Sequence, residues 1–183
     1  MYLQTVHHAA LVLGWSALVI TGTASGVPTS TRMGEEHAEQ SARVDPWPCR
    51  IVAAATIRRL FEQAWERSAT MRAQCDELAR ARAVVRLDWG SADSLSHATT
   101  ALTSHGGVVV ATVKIPPVGD TIQLLAHELR HVVEHTRGLN FDAESKRPES
   151  GVWRAFSGFE TQAAIDVSRQ VGLELREHRQ TIK

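Results

Sequence analysis

The chain has 183 residues, of which 43% are hydrophobic and 22% are charged, and its formal net charge is zero. This composition is typical of an ordinary globular protein with one domain and one core. The charge balance gives no electrostatic reason to expect binding to nucleic acid or to an acidic surface, so we predict no nucleic-acid partner.

The N-terminal segment resembles a secretory signal peptide. Residues 9–24 form an apolar run that ends in small residues suited to cleavage near Ala24 or Ser25. The residues before the run include no Lys or Arg, only His7 and His8, so a membrane anchor formed by residues 9–24 is the alternative. A membrane-spanning helix needs about 20 apolar residues, which favours cleavage and export to the periplasm or the exterior.

Helices are predicted after a polar segment. Residues 26–48 contain three Pro and show no sustained period, which indicates a flexible linker. From Arg50 onward, apolar residues recur every three or four positions, as in an amphipathic helix. Ser68 can cap a second helix, so a helical hairpin or one bent helix is expected over residues 50–81. The predicted stripe of the first helix consists of Ile51, Ala54, Ile57, Arg58, Phe61 and Trp65. The second helix turns Met71, Cys75, Leu78 and Ala79 inward.

The only cysteines are Cys49 and Cys75, which an exported protein could join in a disulfide. In a straight hairpin that turns at Ser68, Cys49 lies about 28 Å from the turn and Cys75 about 10 Å. A disulfide needs Cα atoms within about 7 Å of each other. The hairpin geometry therefore predicts two unpaired thiols.

Two β-branched runs of strand length follow at residues 83–89 and 107–115. The Ser- and Thr-rich segment between them can hold a short third strand around residues 95–102. No connection long enough for a parallel pair is apparent, so the expected product is a small antiparallel sheet.

The strongest chemical signal is an H-E-x-x-H motif at residues 127–131. Asp120 or Thr121 can cap a helix that Gly138 ends. On that helix, residues four apart lie one turn above each other, so two imidazoles can bind one metal ion. Glu128 projects beside the first of them, where it can take a proton from a metal-activated water.

A third metal ligand is needed, and Glu160 is the best candidate. The final helix is expected to begin at Phe159, and its apolar stripe extrapolates back to Glu160. A carboxylate on a buried face costs free energy unless a cation compensates it. The alternative reading is a Glu placed favourably at the positive end of the helix dipole. The stripe consists of Ala164, Val167, Val171 and Leu175.

Other candidates fit less well. His135 lies eight residues after His127, a rise of about 12 Å along a helix, so both cannot bind one ion together with His131. Asp142 and Glu144 would require a tight return of the chain. Asp166 fits better as a hydrogen-bond partner of a ligand His.

With these residues the chain resembles the zincin metallopeptidases of the gluzincin type over about residues 105–175. The resemblance implies that His127, His131 and Glu160 hold Zn²⁺, that Glu128 is the general base, and that the substrate is a peptide or protein. In zincins an edge strand ahead of the motif helix commonly pairs with an extended substrate.

The chain departs from that pattern in one respect. Gluzincins usually stabilise the oxyanion with a Tyr or His, and the only Tyr here is Tyr2, in the leader. His97, His105 and Arg154 are the remaining candidates, and the sequence does not choose among them. The chain also resembles small uncharacterised bacterial proteins in which H-E-L-x-H is followed by an aromatic-Glu-Thr element, a resemblance that names no substrate.

We therefore predict an α+β fold with a helical hairpin, a small antiparallel sheet, a motif helix and a C-terminal helix that carries the third ligand. The predicted organisation is a signal peptide or anchor at residues 1–25, a linker at 26–48 and a zincin-like metalloprotease domain at 49–183. The predicted function is a zinc-dependent hydrolase, with a peptidase preferred. The alternative is a non-catalytic exported binding module whose metal site is structural or lost. Membrane contact is expected only if the N-terminal segment stays uncleaved.

Overall fold

The computed structural model describes residues 45–90, 98–155 and 158–181. These residues form six strands and five helices. The predictions of a signal peptide and of most of the linker concern residues 1–44, which lie outside the described residues. Among the helices in the described ranges, none is long and apolar enough to cross a membrane.

The first four elements are two strands joined by two helices. They are β1 (Arg50–Ala53), α1 (Ala55–Arg67), α2 (Ala69–Arg80) and β2 (Val84–Trp89). Ser68 caps α2, because its hydroxyl oxygen accepts a hydrogen bond from the backbone N–H of Met71. The prediction of a helix from Arg50 is wrong for its first turn. Ile51 and Ala54 match the helical period by coincidence, and a strand of four residues is too short to show a period of its own.

Cys49 and Cys75 form a disulfide, so the prediction of two unpaired thiols is wrong. The error follows from the misassigned strand. Because residues 50–53 are β1 and not the start of a helix, Cys49 does not extend away from the turn at Ser68. It lies beside α2 instead, with its Cα atom 5.1 Å from that of Cys75.

The main sheet is mixed and has the strand order β1-β2-β4-β3, where β3 is Thr99–His105 and β4 is Val108–Ile115. The predicted antiparallel pairing holds only for β3 and β4. The β1–β2 and β2–β4 pairs are parallel, which corrects the expectation of an all-antiparallel sheet. Helices α1 and α2 provide the long connection that the parallel pair of β1 and β2 requires. The prediction of a helix over residues 50–53 hides this connection, because it leaves no strand before the two helices.

The core lies between one face of this sheet and the helices. Side chains alternate along each strand, and the inward set is fully or almost fully buried. This set consists of Ile51, Val85, Leu87, Ala111, Val113 and Ile115. Trp47 closes one end of the core, with its ring 5.0 Å from that of Phe61 in an edge-to-face arrangement.

The remaining elements position the candidate site. They are α3 (Thr121–Thr136), α4 (Phe141–Glu144), β5 (Val152–Ala155), β6 (Gly158–Thr161) and α5 (Gln162–Thr181). Helix α3 packs against α5, and the two approach closely at Gly172, where an added Cβ would lie 2.6 Å from Oε1 of Gln123. Past the end of α3, Gly138 adopts a φ of +84°, as expected for a glycine that ends a helix.

The final helix begins at Gln162 and not at Phe159, so Glu160 lies on strand β6 and the prediction of a ligand on the C-terminal helix is corrected. Thr161 sets this boundary, because its hydroxyl oxygen accepts a hydrogen bond from the N–H of Ala164 and so caps α5. The predicted stripe of α5 is confirmed in its buried residues Ala164, Val171 and Leu175. The predicted α+β class is confirmed.

Candidate metal centre

Helix α3 carries the H-E-x-x-H motif on a face next to its core-facing stripe. Leu125, Leu129, Val132 and Val133 are buried in the core. His127 and His131 lie on the neighbouring face of the helix. Their Nε2 atoms approach Glu160 of β6. The helix predicted from its caps therefore presents both imidazoles in the same direction.

Three potential ligand atoms meet beside α3. Nε2 of His127 lies 3.2 Å from Nε2 of His131. Oε1 of Glu160 lies 3.1 Å from the first of these nitrogens and 3.5 Å from the second. Zinc ligands about 2.0–2.2 Å from a tetrahedral ion lie about 3.3–3.6 Å from one another. The side chains of these three residues could therefore hold a metal ion with little movement.

The carboxylate of Glu160 is held in its charged form. Burial alone would raise its pKa, but hydrogen bonds from His127 and His131 outweigh burial and lower the pKa far below the usual range of glutamate. The backbone N–H of Thr161 also donates to Oε1 of Glu160, at 2.8 Å. A negative ligand is thus fixed beside two imidazoles by the strand that carries it.

A buried carboxylate that was not among the predicted site residues, Glu134, orients His131 from the side opposite Nε2. Glu134 is only 6% exposed, and its Oε2 lies 3.3 Å from Nδ1 of His131. The Thr161 hydroxyl donates to Glu134, with 3.1 Å to each carboxylate oxygen. A proton on Nδ1, donated to Glu134, leaves Nε2 of His131 free to bind a metal ion.

The charges around His131 favour a cation at this position. Burial lowers the pKa of His131, but hydrogen bonds to Glu134 and Glu160, with the negative charges of Glu128 and Glu160, outweigh it and raise the pKa to about 9. A divalent cation would benefit from the same negative groups, and it would compete with the proton on the imidazole. The donor set and its electrostatics therefore both suit a metal ion.

Glu128 lies at the same cleft without belonging to the group of three. It is 6% exposed, and its Oε2 accepts a hydrogen bond from the Thr100 hydroxyl at 2.5 Å. Thr100 lies on β3, the strand at the edge of the main sheet. Glu128 is therefore oriented by the edge strand. This contact joins elements that are distant along the chain, so no local sequence signal predicts it.

A cleft of about 590 Å³ surrounds these groups. Its lining residues come from β3, α3, α4, the β5–β6 hairpin and α5. The lining residues include His127, Glu128, His131 and Glu160, so the three potential ligands and the potential base open onto a single space.

Several other sequence-predicted residues lie elsewhere. Asp166 does not reach a His, because its Oδ1 accepts a hydrogen bond from Gln162 at 2.9 Å and the side chain is 61% exposed. The prediction that Asp166 orients a ligand His is therefore wrong, and Glu134 occupies that position. Asp142 pairs with Lys146 and Arg154, and Glu144 pairs with Arg147.

The three oxyanion candidates do not line the cleft as far as the structure describes them. His105 is exposed at the far end of β3. Arg154 pairs with Asp142 and lies 5.1 Å from the centroid of the Phe159 ring. His97 lies outside the described residues.

A scan against models of protein families finds no match for this chain, and searches of curated proteins and of solved structures find none either.

Proposed function

We propose that this protein is a zinc-dependent hydrolase that cleaves peptide bonds. In this proposal His127, His131 and Glu160 hold the ion and Glu128 is the general base. The observation that carries it is the set of distances among the three ligand atoms, 3.1, 3.2 and 3.5 Å, which suits one tetrahedral ion.

Zinc bound by these residues would supply Lewis acidity, which acidifies a water molecule and polarises a substrate carbonyl. Glu128 accepts the proton of the attacking water as the C–O bond forms, and it donates that proton to the leaving amine as the C–N bond breaks. Thr100 keeps the Glu128 carboxylate turned into the cleft. Glu134 keeps His131 in the tautomer that presents Nε2.

Strand β3 is the part of the proposed site that suits an extended peptide. It is an edge strand, paired with β4 on one side only among the described strands. Thr99 and Thr100 of this strand line the cleft beside Glu128. An unpaired strand edge offers backbone N–H and C=O groups to a second strand. A peptide bound there would lie along the cleft beside the proposed general base.

One observation favours the alternative of a non-catalytic binding module. Apart from His127 and His131, the described residues that line the cleft include no Tyr, Arg or His that could stabilise an oxyanion. In a binding module the metal site would be structural, and Glu128 would serve only as a polar group in the cleft.

Two substitutions separate these functions. Glu128→Gln preserves shape and removes the base, so we expect it to retain zinc and to lose peptide cleavage by about 10²–10⁴-fold. His131→Ala removes a ligand, so zinc content, cleavage and melting temperature should fall together. The measurements are zinc content, melting temperature and cleavage of a mixed peptide library by the full chain.

His135→Ala is the matched control for His131→Ala. His135 lies one turn further along α3, does not belong to the three-residue group, and should keep both zinc and cleavage. If zinc-loaded wild-type protein cleaves nothing in the library, and Glu128→Gln matches it in zinc content and melting temperature, the binding module is the better description.

Export remains part of the proposal. The Cys49–Cys75 disulfide is in keeping with it, because disulfides persist in oxidising compartments. Terminal sequencing of protein from the native host should find a mature chain that begins near Gly26. Recovery of Met1 in a soluble cytosolic fraction would contradict export.

A further inference from the structure

The main sheet has one face on which the described part of the chain packs no helix. Helices α1 and α3 contact the sheet on the side that carries its buried residues. The side chains that alternate with those buried residues point the other way, and they are exposed or half-buried. Sheets with parallel strands are usually covered on both faces, so the bare face of this sheet indicates a further partner.

We call this bare side of the sheet the open face. Val52 and Val110 on it are 50% and 37% exposed. Thr100 belongs to the opposite side, since its hydroxyl donates to Glu128 on α3. The cleft and the open face therefore lie on different sides of the sheet. The open face consists of Arg50, Val52, Val84, Arg86, Asp88, Ala101, Thr103, Val110, Thr112 and Lys114.

The residues of the open face form rows across the strand order β1-β2-β4-β3. The first row is Arg50, Val84, Val110 and Thr103. The second row is Val52, Arg86, Thr112 and Ala101. The third row places Asp88 of β2 directly beside Lys114 of β4. Neither of these two side chains forms an ion pair within the described ranges, so both charges are available to a partner.

These rows are self-complementary about a twofold axis that runs parallel to the strands, midway between β2 and β4. Such an axis stacks a second sheet on the open face and exchanges β2 with β4 and β1 with β3. Asp88 then meets Lys114 of the second copy, and Lys114 meets Asp88 of the second copy. In the first row, Val84 meets Val110 of the second copy. The strands of both sheets run in the same direction, as in the aligned packing of β-sandwiches.

The two arginines of the open face also find suitable groups in this arrangement. Arg50 meets Thr103 of the second copy, and Arg86 meets Thr112 of the second copy. Both threonine hydroxyl oxygens can accept a hydrogen bond from a guanidinium group. Four strands about 4.8 Å apart and up to about eight residues long form a face of roughly 19 by 26 Å. This area is at the lower end for specific interfaces, and the face is net positive, so the association should be weak.

We propose that the open face is an interface through which two copies of this chain associate, with one Asp88–Lys114 pair on each side of the twofold axis. Because the cleft lies on the other side of the sheet, the dimer leaves it accessible. The inference is independent of the proposed function, and neither depends on the outcome of the other.

The test is sedimentation equilibrium of the full chain over a concentration series that reaches the high micromolar range. We expect the wild type to be a reversible dimer. Asp88→Lys and Lys114→Asp each bring like charges together at both symmetry-related positions, so each should raise the dissociation constant at least about tenfold. An equimolar mixture of the two variants pairs opposite charges at both positions and should dimerise again. An ion pair within one chain cannot produce this recovery.

Asp76→Lys is the matched control, because Asp76 is exposed on α2, away from the open face. It should dimerise as the wild type does. A wild type that stays monomeric at every concentration would overturn the inference and leave the face to a different protein or to another segment of the chain. Dimerisation that survives both charge reversals, or a mixture that stays monomeric, would overturn it as well.

A further variant covers the case in which a charge reversal prevents folding. Val110→Glu places an uncompensated charge against Val84 of the second copy, close to the twofold axis. This variant should be monomeric at concentrations where the wild type is a dimer. Unchanged dimerisation of Val110→Glu would contradict the proposed interface.

Discussion

Replacing Thr161 with Val tests the connection between the motif helix and the strand that carries Glu160. Valine has nearly the shape of threonine, so the change removes one hydroxyl and leaves no cavity. That hydroxyl is buried, donates to Glu134 and accepts from the N–H of Ala164. The substitution therefore removes the cap of α5 and a hydrogen bond to a buried carboxylate in one step.

The two losses can be estimated separately. An N-cap contributes about 1 kcal/mol. A hydrogen bond to a charged group contributes about 1.5–3 kcal/mol. Glu134 keeps Arg130 and His131 as partners, so the substitution weakens its pairing without leaving it unpaired. We expect Thr161→Val to lower the free energy of unfolding by about 2.5–4 kcal/mol. Zinc affinity should fall about 10–100-fold, since Glu134 would hold His131 less firmly.

The stability assay is urea unfolding followed by circular dichroism, in the presence of a chelator so that metal does not contribute. Thr161→Ser keeps the hydroxyl and should lose only about 1 kcal/mol, the cost of one buried methyl group. In a double-mutant cycle with Glu134→Ala, the coupling energy should be about 1–3 kcal/mol. A loss below about 0.5 kcal/mol for Thr161→Val would refute the reasoning, since it would show that neither hydrogen bond matters. Equal losses for Val and Ser would refute it as well.

Three further predictions concern stability. Because 26 positions separate Cys49 from Cys75, loop entropy predicts that replacing both with Ser lowers the free energy of unfolding in urea by about 3.5 kcal/mol. Reductant should not change the stability of that variant. Burial raises the pKa of Glu174, but hydrogen bonds from Ser68 and Thr70 outweigh it and lower the pKa below the ordinary value of 4.5. The stability that this carboxylate contributes is therefore present above that value and is lost in acid, so the gap in melting temperature between wild type and Glu174→Gln should close as the pH falls. Zinc at 100 times its Kd should add about 2.7 kcal/mol to the free energy of unfolding, and a chelator should abolish the gain.

The motif helix could be predicted well because its signals are local. The predicted cap position at Asp120 and the terminating Gly138, with its φ of +84°, both match the helix bounds, although the Asp120 side chain makes no capping hydrogen bond. The apolar period therefore carries most of this prediction. Ser68 is a local signal as well, since it caps α2 through its own side chain. Where a boundary depends on groups within a few residues, the sequence contains the information needed.

Strand β1 and the disulfide could not be predicted in this way. Arg50–Ala53 become a strand because β2 offers a parallel partner beyond two intervening helices. Nothing within those four residues distinguishes this strand from a helical turn, and the periodicity favoured the helix. The wrong geometry for Cys49 was a consequence of that one assignment.

The candidate site also contains residues that local sequence signals predict and residues that only the fold brings together. His127, His131 and Glu160 could be named from the motif and from chemical need, even though Glu160 is on a strand and not on a helix. The role of Glu134 could also have been predicted, because Glu134 follows His131 by three positions on one helix and so lies near its ring. The role of Thr100 could not be predicted, because its contact with Glu128 depends on where the sheet edge lies relative to α3.

The elements that carry the three potential ligands differ in how firmly they are packed, and the β5–β6 hairpin is the less firmly packed of the two. Of its described residues, only Val152 and Thr161 are buried, whereas α3 lies against the core along its length. A small element with few buried side chains opens at a lower free energy than the whole domain. We therefore expect Glu160 to withdraw from the site more readily than the two imidazoles. The rate at which a proposed zinc ion is exchanged would then follow the local fluctuations of this hairpin, and metal turnover would not require the protein to unfold.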